Sequence, residues 1–416
     1  MLSLDQENTL FDRPGNLDTN EDYVDFTIGA PGSDLLRNVT KLALEASQSA
    51  LSAPDAYNLL QYGAAKGLGT FRKGLANWLE HEYHDTSIDP SRLTVTSGAT
   101  QSFTNIVTLF TCPDTVFLIE DPTYFLALDL VREQRADSKI LPVPTDESGI
   151  MTKNLEALLE KYTTKDKNIW PNRFSFMLYL VPTHNNPTGR SLSHERRIEL
   201  VKLAAKYDML VVCDDVYDIL RYEDHANTPK RLVAYDYEFN KEASGFVISN
   251  GTFSKLFGPG IRLGWVEAKE SLINTLSQSG LNNSGGSPNQ LASGIMTDLL
   301  VSGKLSKFVD DLRTTYANRM HALMKVLKSQ LPPTCEVLHP KGGYFVWIIL
   351  PEHINTRDLL ERCRKETHVN FSPGDRFSLA GNTNHCLRLC FAYNSEDNIV
   401  SGAERLCRFL TTYLSS

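Results

Sequence analysis

The chain has 416 residues, 41% of them hydrophobic and 22% charged, which is typical of a globular protein with a large core and two or three domains. Its net charge of −8, without any local run of Lys and Arg, disfavours nucleic acid and anionic membrane as partners. The sequence also lacks an apolar stretch of ~18 residues, so a membrane-spanning helix is not expected.

The amino-terminal segment is acidic: the first 26 residues hold seven Asp or Glu and one base, Arg13. Secretory and organellar targeting segments carry the opposite charge, so we expect an untargeted protein. The seven cysteines show no Cys-x-x-Cys spacing and no paired histidines nearby, which predicts neither a disulfide framework nor a metal site. A cytoplasmic protein fits both observations.

Short apolar runs alternate with helical patterns from about residue 93 to about residue 268, which is typical of a mainly parallel sheet covered by helices. The seven predicted strands are Leu93–Thr96, Val116–Glu120, Lys139–Pro142, Phe176–Val181, Met209–Cys213, Phe246–Ser249 and Ile261–Val266. The helices predicted between them include Tyr124–Gln134, Asn154–Tyr162 and His194–Tyr207. We therefore expect a large α/β domain over residues 56–303. For residues 1–55 we expect an amino-terminal arm that also contributes to a smaller domain.

The carboxyl-terminal part begins with a run of apolar residues at helical spacing, Lys304–Leu331, which is too long for a simple crossover helix. The elements predicted after it are strands Cys335–Leu338 and Tyr344–Leu350, helix Thr356–Lys365, strand Cys386–Phe391 and helix Glu396–Tyr413. This α+β pattern predicts that residues 304–416 form a long linking helix and a smaller domain. Loose loops are expected at Asn282–Pro288 and Ala380–Asn384.

A lysine follows the predicted strand Phe246–Ser249, in the string Ser-Asn-Gly-Thr-Phe-Ser-Lys that ends at Lys255. Burial would lower the pKa of this amine from ~10.4 and make it a nucleophile toward an aldehyde, and later a general base. The hydroxyls of Thr252 and Ser254 and the guanidinium of Arg262 could hold a phosphate. A glycine-rich loop with a solvated lysine is the alternative. The glycines here do not have the spacing of a dinucleotide-binding loop.

Two neighbouring strands end in polar residues, at the sheet edge where α/β proteins bind ligands. Asp214 ends one strand and Tyr217 follows it, while Asn186 follows another strand and is fixed against a proline. At a distance of ~3 Å and an effective dielectric of ~20, the attraction between a carboxylate and a protonated ring nitrogen would be about 5 kcal/mol. That is enough to keep the nitrogen protonated. Asn186 could donate to a phenolate oxygen. The alternatives are that Asp214 and Asp215 only cap the strand and that turn chemistry alone selects Asn-Pro.

Two further segments follow strands in the same way. The string from Thr96 to Gln101 could present backbone N–H groups to a phosphate at a helix amino terminus, or it could be an ordinary helix cap. Tyr124 could stack on a flat heterocycle, or it could be a core tyrosine.

Arg388 lies inside the otherwise apolar strand Cys386–Phe391. Buried arginines need anionic partners. The partner could be a substrate carboxylate, or an internal Asp or Glu.

Taken together and in this order, these segments resemble the class I/II aminotransferases of the fold type I superfamily of pyridoxal 5′-phosphate enzymes. The resemblance extends from about Asp25 to Phe391. It is greatest to the 2-aminoadipate, kynurenine and aromatic subgroup, because of the short amino-terminal arm and the string Asn-Asn-Pro-Thr-Gly. One departure is Ala99-Thr100, where that subgroup often has Ser-Gln. A phosphate contact at Ala99 is therefore limited to its backbone.

The resemblance implies a role for each matching residue. Lys255 becomes the catalytic residue, which holds the cofactor as an internal aldimine. The implied cofactor-binding residues are Tyr62, Gly98, Ala99, Thr100, Tyr124, Asn186, Asp214, Tyr217, Thr252, Ser254, Lys255 and Arg262. The implied substrate-binding residues are Gly29, Asn186 and Arg388. Tyr62 matches a tyrosine that the family sends into the partner subunit's phosphate site, so a homodimer with shared active sites is expected.

The expected activity is transamination between a 2-amino acid and a 2-oxo acid, with 2-oxoglutarate as the amino acceptor. A fold type I lyase that cleaves C–S bonds by β-elimination is the enzymatic alternative, because the same lysine serves both reactions. A catalytically silent relative acting as a binding or regulatory protein is the other alternative. Retention of Lys255, Asp214 and Arg388 argues against it.

Overall fold

The structure is a computed structural model that describes residues 23–85, 87–163, 173–222, 229–241 and 245–415. Most of the acidic amino-terminal segment lies outside the described residues. No helix in the described part of the chain is long and apolar enough to cross a membrane.

Fourteen strands and thirteen α-helices lie in these residues. The strands are β1 (Val24–Asp25), β2 (Leu93–Thr96), β3 (Val116–Asp121), β4 (Ile140–Asp146), β5 (Gly149–Ile150), β6 (Phe176–Leu180), β7 (Met209–Asp214), β8 (Val247–Thr252), β9 (Gly264–Ala268), β10 (Glu336–Val337), β11 (Phe345–Ile349), β12 (Val369–Asn370), β13 (Ser372–Pro373) and β14 (Cys386–Cys390). The helices are α1 (Ser33–Ser52), α2 (Gly69–Tyr83), α3 (Ala99–Phe110), α4 (Phe125–Gln134), α5 (Thr152–Tyr162), α6 (His194–Lys206), α7 (Leu232–Phe239), α8 (Glu270–Ser277), α9 (Gly280–Gly285), α10 (Gln290–Val301), α11 (Lys304–Gln330), α12 (Thr356–Thr367) and α13 (Glu396–Ser415).

The larger sheet has the strand order β2-β9-β8-β7-β6-β3-β4-β5. Its centre, from β8 through β4, is parallel, while β9 is antiparallel to both of its neighbours and β5 is antiparallel to β4. The predicted α/β fold with a mainly parallel sheet is confirmed. The sequence predicted seven strands and missed the eighth, β5, because two residues are too few to show a strand pattern.

The central strands are apolar on both faces because helices cover both sides of the sheet. In β7, Leu210 and Val212 face one buried core, while Val211 and Cys213 face the other. Successive side chains of a strand point to opposite faces, so each strand contributes to two cores. Because both faces are buried, successive residues of these strands are apolar. The strands were predicted from these continuous apolar runs.

Two predicted elements differ from the structure, one in its bounds and one in its type. The strand predicted at Ile261–Val266 begins only at Gly264, because Pro259–Ile261 form a 3₁₀ turn and Arg262 has the left-handed φ of 50°. The loop predicted at Asn282–Pro288 instead contains part of the short helix α9. The side chain of Ser279 caps α9 by accepting from the backbone N–H of Asn282 at 3.4 Å.

The smaller sheet has the order β10-β11-β14-β13 and is antiparallel throughout. Helices α11 and α13 pack against each other, and α12 packs on α13, so the predicted smaller α+β unit is confirmed. Strand β1 pairs with β12, so the start of the described chain joins this carboxyl-terminal part. The domain boundaries at residues 55/56 and 303/304 remain predictions.

Candidate active site

A cavity of about 610 Å³ opens at the carboxyl edge of the parallel strands, beside the smaller sheet. Twelve of the fourteen residues predicted to bind cofactor or substrate line it: Gly29, Ala99, Thr100, Tyr124, Asn186, Asp214, Tyr217, Thr252, Ser254, Lys255, Arg262 and Arg388. The strand ends and the loops after them bring these residues together from distant parts of the chain. Parallel strands end at the same edge, which explains this convergence.

Lys255 lies three residues beyond the end of β8, in the wall of the cavity. Its Nζ donates a hydrogen bond to the backbone oxygen of Gly29 at 2.6 Å. Burial lowers the pKa of Lys255 to about 8. The amine is therefore partly neutral near physiological pH, and the alternative of a freely solvated lysine is wrong.

Asp214 is the last residue of β7, and its carboxyl is buried. Its Oδ2 accepts a hydrogen bond from the hydroxyl of Tyr179 at 2.7 Å, while its Oδ1 is buried without a partner among the described residues. Burial raises the pKa of Asp214 to about 6. A buried acceptor without a donor is costly, so this oxygen suits a protonated ring nitrogen bound in the cavity.

Asp215 points away from the cavity. Its Oδ2 accepts from the hydroxyl of Ser249 at 2.5 Å. Of the two adjacent acids, Asp214 alone lines the cavity, as the sequence predicted.

An anion site forms where α3 begins. The hydroxyls of Thr252 and Ser254 lie 3.0 Å apart, and Arg262 Nη2 donates to the backbone oxygen of Ser97 at 3.1 Å. A Cβ added at Gly98, which has φ 97°, would lie 3.2 Å from Arg262 Nη2 and 3.6 Å from Thr252 Oγ1. Gly98 does not itself line the cavity, but its lack of a side chain keeps this cradle open. Two hydroxyls, a guanidinium and a helix amino terminus suit a phosphate.

Arg388 occupies the middle of β14, paired in register with Trp347 and Ser372. Nη1 donates to Asn186 Oδ1 and Nη2 to the backbone oxygen of Thr27, both at 2.8 Å. None of its partners among the described residues is a carboxylate, so the alternative of an internal Asp or Glu partner is wrong. Burial lowers the pKa of Arg388 to about 10. The buried guanidinium therefore suits an anionic ligand in the cavity.

Asn186 is held in place by its neighbour. Asn185 Nδ2 donates to Glu120 Oε1 at 2.8 Å, and Asn185 Oδ1 accepts from the backbone N–H of Thr188 at 3.0 Å. These bonds fix the turn at the end of β6, so that Asn186 meets Arg388.

The sequence analysis predicted no role for some cavity residues, among them Tyr179, Phe125, Phe345 and Arg376. Tyr179 sits inside an apolar strand and resembles an ordinary core residue. Only its pairing opposite Val212, two residues before Asp214, places it beside the acid, and this pairing is visible in the fold and not in the sequence.

Tyr62 is predicted to bind cofactor but does not line this chain's cavity. Its side chain is 81% exposed, and it lies beside Gly285. Its place in a partner subunit's site remains a prediction. No group of three or more His, Cys, Asp or Glu side chains suited to a metal ion occurs within the described ranges.

These features fit pyridoxal 5′-phosphate. The cavity offers a phosphate cradle, an amine for an aldehyde and a buried carboxyl oxygen in need of a donor. A fold and site of this kind define a fold type I pyridoxal-phosphate enzyme.

The comparison with known protein families agrees with this assignment from the fold and the site. The chain belongs to the class I and II aminotransferase family, which it matches over residues 21–406. It is therefore a pyridoxal-phosphate-dependent aminotransferase.

Individual relatives are similar over most of their length. The chain is 31% identical over 373 residues to aromatic-amino-acid aminotransferase 1 of Thermococcus litoralis, covering 90% of this chain and 83% of the relative. It is 29% identical over 360 residues to 2-aminoadipate transaminase of Thermus thermophilus, covering 86% and 83%. A crystal structure of Pyrococcus horikoshii kynurenine aminotransferase superposes with a TM-score of 0.81 at 28% identity, covering 95% of this chain and 93% of that one.

Proposed function

We propose that the chain transfers amino groups between 2-amino acids and 2-oxo acids with Lys255 as the residue that carries the cofactor. One observation supports this most strongly. A buried amine, a buried carboxyl oxygen in need of a donor and a buried guanidinium without a carboxylate partner among the described residues line a single cavity. The three side chains are Lys255, Asp214 and Arg388.

When bound, pyridoxal 5′-phosphate supplies an aldehyde for the amino group and a ring that withdraws electrons from the substrate Cα. Lys255 Nζ would be the group that holds the cofactor through that aldehyde. The same amine would take the proton from the substrate Cα and return it elsewhere. Its lowered pKa suits both tasks because neither needs a strongly basic amine.

Asp214 would keep the ring nitrogen protonated, and Tyr179 holds this acid in place by donating its hydroxyl hydrogen bond. From the cavity wall, Asn186 and Tyr217 would bind the ring hydroxyl and Tyr124 would stack on the ring. The phosphate would be held by Thr100, Thr252, Ser254 and Arg262 together with the backbone at Gly98 and Ala99.

Arg388 binds the α-carboxylate shared by all 2-amino and 2-oxo acids. Its Nη1 is held by the hydrogen bond to Asn186 and its Nη2 by the hydrogen bond to the backbone oxygen of Thr27. Gly29 also lines this part of the cavity. A guanidinium held at both ends binds a carboxylate in one orientation. That orientation fixes the direction of the Cα–H bond relative to Lys255.

The test is a stopped-flow half-reaction of the holoenzyme with glutamate, 2-aminoadipate, kynurenine, phenylalanine and leucine. Transamination should convert the cofactor to its amine form and release one oxo acid without ammonia. The amine form should return to the aldehyde form with 2-oxoglutarate as acceptor. Because C–S β-elimination needs a sulfur leaving group on Cβ, a cysteine S-conjugate is added to the panel. Release of its thiol together with ammonia and an oxo acid, with the cofactor unchanged, would instead identify a β-eliminating lyase. A protein that binds the cofactor without turnover would overturn the proposal.

We also propose a homodimer with shared active sites. Helix α1 packs on α10, and the 3₁₀ turn Ala56–Leu60 packs on both. Most exposed large apolar side chains belong to this region and the adjacent α9: Leu44, Leu51, Tyr57, Leu60, Tyr62, Leu281, Leu291 and Val301. An apolar surface of this extent supports a subunit interface that includes Tyr62.

A cytoplasmic location completes the proposal. All seven cysteines lie in described residues and remain thiols, six of them buried, as is usual in a reducing compartment. Imaging of the tagged full-length chain should show diffuse cytoplasmic signal, and signal confined to an organelle would contradict this.

A further inference from the structure

A tyrosine that does not line the cavity contacts Lys255 from behind the cavity wall. Tyr344 is fully buried and comes immediately before β11 of the smaller sheet. Its hydroxyl donates to the backbone oxygen of Lys255 at 3.1 Å. This hydrogen bond therefore joins the smaller sheet to the turn after β8 that carries the lysine.

The ring of Tyr344 also borders the amine of Lys255. Nζ lies 5.4 Å from the centroid of this ring and 6.0 Å from the centroid of the Tyr217 ring, and the two rings are 5.3 Å apart. An ammonium group is attracted to the face of an aromatic ring. Nζ also donates to the backbone oxygen of Gly29 at 2.6 Å. The two rings and this oxygen together restrict the positions that the amine can take.

A second buried tyrosine orients the hydroxyl of Tyr344. The hydroxyl oxygen of Tyr316, in the middle of α11, lies 3.2 Å from that of Tyr344, and the two rings meet edge to face at 5.1 Å. A tyrosine hydroxyl has one hydrogen, and a carbonyl oxygen can only accept. Because Tyr344 donates to Lys255, Tyr316 must donate to Tyr344. The hydrogen bonds therefore run in one direction, from α11 through Tyr344 to the main chain of Lys255.

The main chain at Lys255 depends on this hydroxyl. In the turn after β8, the backbone N–H groups of Leu256 and Phe257 both donate to the oxygen of Phe253. Within the described residues, no backbone N–H donates to the oxygen of Lys255. The hydroxyl of Tyr344 is thus the donor that holds this carbonyl, and its removal would leave the main chain of the lysine freer to shift.

We propose that Tyr344 is a positioning residue for transamination: its hydroxyl fixes the main chain of Lys255 and its ring borders the amine, so that Nζ stays aligned with the substrate Cα. The assignment rests on the proposed function, in which this amine moves the proton at Cα. Proton transfer needs a defined geometry, and a small displacement of a reacting group can cost about 100-fold in rate. Since Tyr344 does not line the cavity, it acts through Lys255 and not on the substrate.

Tyr344→Phe tests the assignment because it removes the hydroxyl and keeps the ring. The half-reaction of the reconstituted variant with glutamate should be about 10- to 100-fold slower than that of wild type. The ratio of the rates with Cα–H and Cα–D glutamate should stay at or above the wild-type ratio, because the slowed step is the proton transfer. Calorimetry should show that the affinity for pentanoate, an unreactive acid whose carboxylate Arg388 would bind, changes by less than about 3-fold.

Cofactor uptake provides a measurement that needs no turnover. The same amine attacks the cofactor aldehyde. Cofactor-free Tyr344→Phe should therefore take up pyridoxal 5′-phosphate more slowly than wild type, by about 3-fold or more, as followed by absorbance. Tyr316→Phe should lose less than Tyr344→Phe in both measurements, since Tyr344 can still donate to Lys255.

Tyr222→Phe is the matched control. The hydroxyl of Tyr222 also donates to a backbone oxygen at the start of this strand, but to that of Gly343 and not to that of Lys255. The control variant should keep the rates of the half-reaction and of cofactor uptake within about 3-fold of wild type. Losses equal to those of Tyr344→Phe would show a general effect on packing and would overturn the assignment.

Two results in Tyr344→Phe would also overturn it. One is a half-reaction or a cofactor uptake as fast as in wild type. The other is an isotope ratio that falls towards one, because a step other than proton transfer would then have slowed. Wild type that transaminates no amino acid would instead refute the proposed function itself. Wild type that transaminates, with a Tyr344→Phe variant that reacts equally fast, would refute only the role of Tyr344.

Discussion

The pKa of Lys255 depends on the burial of its amine in the cavity wall. Burial lowers its pKa from 10.5 to about 8. Only the neutral amine attacks an aldehyde, and the neutral fraction grows as pH rises through the pKa. The rate at which cofactor-free protein takes up pyridoxal 5′-phosphate should therefore rise through about pH 8 and then level off. Stopped-flow absorbance from about pH 6 to about pH 10 measures this, and a rate still climbing at the upper end would show an unperturbed lysine.

Asp214 and Asp215 are adjacent acids in different surroundings. Asp214 lines the cavity, whereas Asp215 is bound to Ser249 outside it. Asp214→Asn should weaken cofactor binding by about 10- to 100-fold, because a charged contact to the ring nitrogen is lost. Asp215→Asn should leave the cofactor dissociation constant unchanged. Spectroscopic titration of both variants decides the matter, and equal weakening would mean that the wrong aspartate was chosen.

At the scale of elements, a buried ion cluster connects the start of α7 to strand β9 of the large sheet. Arg231 precedes α7 and pairs with Asp85 at 2.9 Å and with Glu267 of β9 at 2.6 Å, all three being at most 3% exposed. Arg231→Met would leave two carboxylates buried without their cation. The free energy of unfolding should fall by about 3–5 kcal/mol, measured by urea denaturation.

Lys230→Met is the control for this prediction. Lys230 pairs with Glu238 in a half-exposed ion pair beside Arg231. Its loss should change the free energy of unfolding by less than about 1 kcal/mol. Comparable effects of the two substitutions would show that the buried cluster does not stabilise the fold.

The elements that could be predicted from the sequence are those whose buried residues form a recognisable apolar pattern. Strand β7 and the start of β8 are apolar because both faces are covered. Asp214 was found because it ends such a strand, and Lys255 because it follows one. The turn at Arg262 was missed because local backbone geometry around Pro259 overrides the apolar run. Arg376 was missed for a different reason: its contact with Phe125 joins segments about 250 positions apart, which no local pattern encodes.

At the scale of the whole molecule, each active site of the proposed dimer would contain residues of both subunits. A hybrid of a Lys255→Ala subunit and a Tyr62→Phe subunit would contain one site with both residues intact. Mixing the two variants after brief dissociation should therefore raise activity above that of either alone. The hydroxyl of Tyr62 would contribute roughly 1.5–3 kcal/mol as a hydrogen bond to a charged group.

The control for the hybrid experiment mixes Lys255→Ala with wild type, which should give no gain beyond dilution. Activity equal to the average of the two unmixed variants would mean that Tyr62 acts within its own chain or not at all. A monomer at micromolar concentration in sedimentation would contradict the shared site outright.

The central claim is that Lys255 both carries the cofactor and moves the proton at Cα. The most direct measurement is the single-turnover half-reaction of Lys255→Ala, reconstituted with pyridoxal 5′-phosphate, with glutamate as donor. The variant should still bind the cofactor through the phosphate cradle and Asp214. Its conversion to the amine form should be slower than in wild type by about 10³-fold or more. Conversion at the wild-type rate would show that another residue does this work and would contradict the assignment.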